Sequence, residues 1–132
     1  MSYVVIGIGL IINSSGEVLI DQRLSGTSMG GMWEFPGGKQ ENNELIESTI
    51  SREILEELGV EVKVGPELIE FNHSYSHKKL KFIVHLCELM SGTPQPLASQ
   101  EVQWARIEDL PNYPFPEANL KIIAALKKYL LI

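Results

Sequence analysis

Apolar residues recur most regularly in residues 44–58, where Ile46, Ile50, Ile54 and Leu58 stand four apart. That period predicts a helix with one buried stripe, and Gly59 supplies its C-terminal stop. Elsewhere the patterning is that of strands. Residues 3–12, "YVVIGIGLII", read as a first strand, "NSSG" as a turn and "EVLIDQR" as a second strand. The glycine-rich segment 25–32, "SGTSMGGM", reads as a loop, and "WEFPGGK" as a short extended piece broken at Pro36-Gly37-Gly38. "VEVKVG" and "ELIEFNHSY" are expected to be two separate strands. "KLKFIVHLCEL" is expected to be a longer one, with Phe82, Val84 and Leu86 on one face, and "VQWARI" to be the last. A proline-rich connection, "EDLPNYPFPEAN", leads to a helix over 118–131 that uses Leu120, Ile123, Ala124, Leu126 and Leu130 as its apolar face. Strands followed by a helix, more strands and a second helix predict an α/β (α+β) fold, a mixed β-sheet between helices.

Length adds that residues 1–132 suit a single domain with one core. Net charge is −6, from 11 basic and 17 acidic residues. Such a balance disfavours stable nucleic-acid binding, which needs a basic face. It leaves room for a small anionic ligand if a metal ion brings the positive charge. No apolar run approaches the roughly 18 residues of a membrane span, and no Lys or Arg precedes the apolar N-terminal stretch as in a signal peptide. Cys87 is the lone cysteine, so no internal disulfide forms, and a cytoplasmic location is expected. A monomer is compatible with this pattern.

The helix also carries "REILEELGV", which crowds Glu53, Glu56 and Glu57. At about 100° per residue, Glu57 falls about 40° to one side of Glu53 and Glu56 about 60° to the other, so all three share one face. Like charges at this spacing cost a few tenths of a kcal/mol per pair. Either water screens them, or a cation holds them. The acidic face abuts the apolar stripe, Arg52 stands ready for a bidentate carboxylate pair, and a tight "PGGK" turn lies upstream. Clustered carboxylate oxygens suit Mg²⁺, with Mn²⁺ as the alternative, and Mg²⁺ is commonly completed by substrate phosphates.

Gly38, Glu44, Arg52, Glu53, Glu56, Glu57 and Gly59, with aliphatic Ile54 and Val60, resemble the full motif of the Nudix hydrolases. "WEFPGGK" and "FPEAN" are similar to the MutT branch, and with Arg23 the resemblance covers nearly the whole chain. The middle of the chain also resembles the Nudix-related C-terminal domain of adenine DNA glycosylases, which typically lacks an intact motif. The resemblance implies an α/β/α sandwich and Mg²⁺-dependent hydrolysis of a nucleoside triphosphate to monophosphate and pyrophosphate. It implies 8-oxo-dGTP as substrate, with attack at the β-phosphorus. By position it implies Glu53, Glu56, Glu57 and the Gly37 carbonyl as metal ligands, Arg52 as their orienter and Glu44 as a support for loop and helix. Arg23, Glu34, Phe35, Pro36, Gly37, Gly38 and Lys39 would line the nucleotide pocket, and Asn119 would read the purine edge with its amide. Other readings are a Nudix hydrolase for a pyrimidine triphosphate or a dinucleotide, and a non-catalytic 8-oxoguanine-binding module.

One position departs from that pattern. Relatives often carry an acid six residues before the late tryptophan, and here that residue is Ala98, with Glu101 the nearest carboxylate. Ser28 is a candidate substrate contact in the loop. His73 and His77 lack the helical spacing or third partner of a metal pair. His85, Trp33 and Trp104 read as structural, and Lys121, Lys127 and Lys128 as a solvated helix face.

Overall fold

In a computed structural model the chain is described over residues 3–131. The strands are β1 (Val4–Ile11), β2 (Glu17–Gln22), β3 (Trp33–Glu34), β4 (Gly37–Lys39), β5 (Glu61–Tyr75), β6 (Lys78–Ser91) and β7 (Glu101–Arg106), and the helices are α1 (Ile46–Leu58) and α2 (Glu117–Leu130). The expected single mixed sheet is divided in two. One sheet runs β4-β1-β6-β5, with β1 and β6 parallel and the other pairs antiparallel, and the second runs β3-β2-β7, all antiparallel. The segment "WEFPGGK" joins them, giving β3 to one sheet and β4 to the other.

Alternation along β1 sorts the two helices to opposite faces. Ile8 and Leu10 enter a core shared with Phe35, Phe82, Phe115 and the α2 residues Ala118, Ile122 and Leu126. Ile11 faces the other way, into a cluster with Ile50, Ile54 and Leu58 of α1. Gly7 and Gly9 make that second contact close. A Cβ on Gly9 would lie 2.6 Å from Ile54 Cδ1, and one on Gly7 would lie 3.0 Å from both Ile46 and Ile50. The helix therefore lies against the β1 backbone, near neighbouring β4.

Several expectations are corrected. The first helix begins at Ile46 rather than Glu44, because the Glu44 side chain is held by Arg52 and Thr49 ahead of the first turn. Its stripe and the left-handed Gly59 stop are as expected. The two strands anticipated either side of Pro66 are one long β5. Pro66 has no N–H for the ladder, and the chain absorbs it as register shifts against β6 between Val64 and Ile69. His85 Nδ1 meets the Gly65 carbonyl there at 2.8 Å, a structural role. The buried face of α2 is Ala118, Asn119, Ile122, Ile123 and Leu126. Leu120, Ala124 and Leu130 of the expected stripe point to solvent. Part of the proline-rich connection is a 3-10 helix, Ile107–Asn112. His73 and Tyr75 rings lie 4.5 Å apart near the β5–β6 turn, and Trp33 is core, edge-on to Tyr113. Among the described residues no helix is long and apolar enough to cross a membrane.

Candidate active site

Arg52 organises the acidic turn of α1. Its Nε and Nη2 donate to the two oxygens of Glu44 at 2.8 and 3.0 Å, and Nη2 also donates to the Lys39 carbonyl at 3.1 Å. Nη1 donates to Glu53 Oε1 at 2.9 Å and lies 3.5 Å from Glu56 Oε1. One guanidinium thus ties β4, the following loop and two motif glutamates together, a use of its fixed fork that a lysine does not offer. Hydrogen bonds from Arg52, Thr49 and the Glu41 N–H hold the Glu44 carboxyl down at about 2. Its carboxylate partners push Arg52 above its ordinary value.

Gly37 and Gly38 have no room for side chains. A Cβ on Gly37 would lie 2.0 Å from the Gly7 carbonyl oxygen, and one on Gly38 would lie 2.3 Å from Glu53 Cδ. Without those atoms, Glu53 packs on the β4 backbone and the Gly37 N–H donates to Glu57 Oε1 at 3.3 Å. The three glutamates on the shared face are unlike one another. Glu56 is exposed, Glu53 is largely covered and Glu57 is half-buried. Burial, then the charge of Asp21, pushes Glu57 up to about 9.

Asp21 is the acidic neighbour that sequence reading missed. It is 3% exposed, and its Oδ1 has no hydrogen-bond partner. Burial and nearby Glu34 raise it to about 7. The signal lay in β2: Val18, Leu19 and Ile20 are continuous, which marks a strand covered on both faces, so the acid that follows is buried as well.

Gly37, Gly38 and Glu57 form one end of a cavity of about 290 Å³ that also takes in Arg23, Glu34, Phe35 and Asn119. Ile6, Ile8, Met29, Tyr75, Leu80, Phe82 and Pro116 complete its walls, none of them named as a pocket residue from the sequence. Phe35 stacks on Phe115 with centroids 5.2 Å apart, and the Tyr75 hydroxyl oxygen accepts the Ala118 N–H at 3.0 Å. These contacts fix the start of α2, where Asn119 is 8% exposed. Arg23 Nη1 donates to Glu34 Oε1 at 2.8 Å, and its Nε donates to the Ser28 carbonyl. Ser28 thereby holds an arginine of the cavity wall. Other candidates lie apart from this space. Lys39, Arg52 and Glu53 line a polar recess on the other side of the glycine turn. Pro36 turns its carbonyl to the Gly9 N–H. Glu101 is exposed and pairs with Gln22, one register step from Asp21 and hence on the opposite face of β2 and β7. Ala98 borders a small hollow with Arg23 and Glu34.

This site can take a cation. Its donors are all oxygens, a buried carboxylate oxygen is orphaned, and the glycine cradle leaves the β4 backbone open toward Glu53 and Glu57. Among the described residues no three acidic or imidazole side chains already converge as a ligand shell. Glu53 is turned to Arg52 and Glu57 to Gly37.

A two-sheet fold in which one glutamate of an acidic helix face opens on a cavity defines the class of site, and comparison with known proteins gives the family. The NUDIX domain model matches residues 7–125. The chain belongs to the Nudix family and is a Nudix hydrolase. It is 36% identical to an 8-oxo-dGTP diphosphatase of Haemophilus influenzae over 119 residues, covering 89% of this chain and 87% of that protein. It is 32% identical to a CTP pyrophosphohydrolase of Escherichia coli over 122 residues, again covering 89% and 87%. The crystal structure of a MutT protein from Methanosarcina mazei shares the fold with a TM-score of 0.85 at 23% identity, covering 96% of this chain and 94% of that one.

Proposed function

We propose that the chain hydrolyses oxidised guanine nucleotides, 8-oxo-dGTP foremost, to the nucleoside monophosphate and pyrophosphate. The observation that carries this reading is the shared cavity, which joins Asn119 at one end to Gly37 and Glu57 at the other. A purine edge and a phosphate chain are the two things those ends suit. An amide offers a donor and an acceptor together, and carboxylates beside open backbone suit a phosphate-bridging cation. The 8-oxo-dGTP diphosphatase relative supports the same assignment.

Glu53, Glu56 and Glu57 with the Gly37 carbonyl would hold a divalent cation, Mg²⁺ or alternatively Mn²⁺. When bound, such an ion neutralises phosphate charge and activates water for attack. The remaining work falls to the chain. Arg52 holds Glu53 and, through Glu44, fixes the loop after β4 against the helix. Phe35, backed by Phe115, makes a rigid wall, so the base is positioned without ordering new side chains. Arg23, neutralised in part by Glu34, lies where it can meet the nucleotide. The acidic end supplies the carboxylate that accepts the proton of the attacking water. Positioning and charge neutralisation are most of what phosphoryl transfer requires.

The relative named for CTP favours a second reading, in which the same acidic end serves a pyrimidine triphosphate. Pyrophosphate release from 8-oxo-dGTP, dGTP, CTP and a dinucleoside polyphosphate, with Mg²⁺ and with chelator, separates the two. Cation-dependent release led by 8-oxo-dGTP on kcat/KM supports the first. Release led by CTP supports the second. Nucleotide binding with no release under any condition contradicts both.

A further inference from the structure

Asp21 is the acidic residue of this region that the Nudix motif leaves out. On β2, Leu19 packs in the α1 cluster, so Asp21, two residues on, projects from the same face toward α1. Glu57 projects from α1 within reach of its charge, and the partner of Asp21 across the strand pair is Glu34. The carboxylate is almost wholly covered, and Oδ1 accepts no hydrogen bond. Arg23 faces it, but that guanidinium is already engaged with Glu34 and the Ser28 carbonyl. Burying a carboxylate with one oxygen unpaired is costly, and buried charges are ordinarily paired or bound to a metal. The carboxylate that Ala98 does not provide is not provided by Glu101 either, since Glu101 is exposed on the opposite face.

Resting on the hydrolase reading above, we propose that Asp21 is a further acidic member of the divalent-cation site, adding its carboxylate to that of Glu57. Its orphaned oxygen is then the counterpart of the ion, and a second carboxylate beside the half-buried Glu57 adds to the site's hold on a dication. The motif glutamates alone leave that oxygen without a partner.

The test is Mn²⁺ binding without nucleotide, followed by the electron paramagnetic resonance signal of free Mn²⁺, for the wild type, Asp21→Asn and Asp21→Ala. Melting of each protein in chelator verifies its fold. Asp21→Asn keeps the shape and removes the charge, so it is expected to melt no lower than wild type. Asp21→Ala also removes the oxygen that an amide retains. Both variants are expected to bind Mn²⁺ about tenfold more weakly or worse, the usual cost of a lost metal partner. They also gain less melting temperature from added Mn²⁺. Binding by both folded variants within about twofold of wild type overturns the inference, because a metal partner's loss is larger. A wild-type chain that binds no Mn²⁺ overturns the cation site assigned to the motif glutamates and Asp21's part in it together.

Discussion

At one end of the cavity the side chains are charged and are held by one another; at the other they are mostly apolar and are held by packing. Glu57 takes its position from the bare backbone of Gly37, and Glu53, in the recess across the glycine turn, from Arg52 and the bare Gly38. Asn119 takes its position from a helix whose start is clamped by Tyr75 and by the Phe35–Phe115 stack. The acidic end is electrostatically strained: burial and then Glu34 push Asp21 up, and burial and then the charge of Asp21 push Glu57 up. The amide end lies within the main core. On the proposed reading, chemistry common to many nucleotides belongs to the first end, and choice of base to the second.

Removing one charge at the acidic end gives the largest expected effect. Glu57→Gln should lower kcat by about a hundredfold or more, in the range seen when a metal-site or transition-state contact is lost. Steady-state pyrophosphate release measures it, and unchanged turnover removes Glu57 from the chemistry. Adjacent glycines sharpen the point. Gly38→Ala drives a methyl group into the Glu53 carboxylate, a flexible side chain that can move, so the protein should fold and lose about tenfold or more in kcat. Gly37→Ala meets the Gly7 backbone instead and should cost about 1–3 kcal/mol of stability, read from denaturant unfolding. If both variants behave alike, the two glycines do not divide the work in this way.

The opposite end should respond in selectivity before rate. Asn119→Ala is expected to narrow the preference for 8-oxo-dGTP over dGTP by about tenfold, since unpaired base edges are what a polar pocket rejects. Competition between the two nucleotides checks it, and an unaltered ratio returns Asn119 to a purely structural role.

The smallest effect is on stability against pH in the cation-free chain. Asp21 and Glu57 hold protons up to about 7 and about 9 when folded, well above their unfolded range. Between roughly pH 4 and 9 the folded chain therefore binds more protons than the unfolded one, and stability falls as pH rises. Glu44 runs the other way. Held at about 2, it stabilises above its unfolded range, and that contribution is lost as pH falls toward 2. Melting in chelator should thus be highest in the mildly acidic range and decline toward alkaline pH, with added Mg²⁺ flattening the decline. A melting temperature that rises between those limits contradicts the buried-carboxylate account.

The contrast between the two ends also explains what was legible in the sequence. The acidic end is built from local spacing: a stripe at every fourth residue, glutamates on one helix face and a glycine turn just upstream. Those patterns survive without a structure. The far end is assembled from β5, β6 and α2, so Tyr75, Phe82 and Leu80 carry no mark of their role beyond being apolar strand residues. The register of α2 was misjudged because Leu120 and Leu130 are apolar yet exposed, while polar Asn119 is buried. Pro66 suggested a strand break where the chain makes a bulge, since a proline's missing donor is tolerated at a register shift. Asp21 was hidden by its chemistry: a lone acid at the end of a strand reads as solvent-facing, although the unbroken Val18, Leu19 and Ile20 before it mark a strand covered on both faces.

One experiment joins both ends: kcat/KM for 8-oxo-dGTP and for CTP, measured in parallel on wild type, Glu57→Gln and Asn119→Ala with Mg²⁺ present. The account predicts that wild type prefers 8-oxo-dGTP, that Glu57→Gln lowers both substrates by the same factor, and that Asn119→Ala lowers 8-oxo-dGTP while leaving CTP nearly unchanged. Equal losses on both substrates in Asn119→Ala, or a wild-type preference for CTP, would contradict the division of the cavity into a reacting end and a base-reading end.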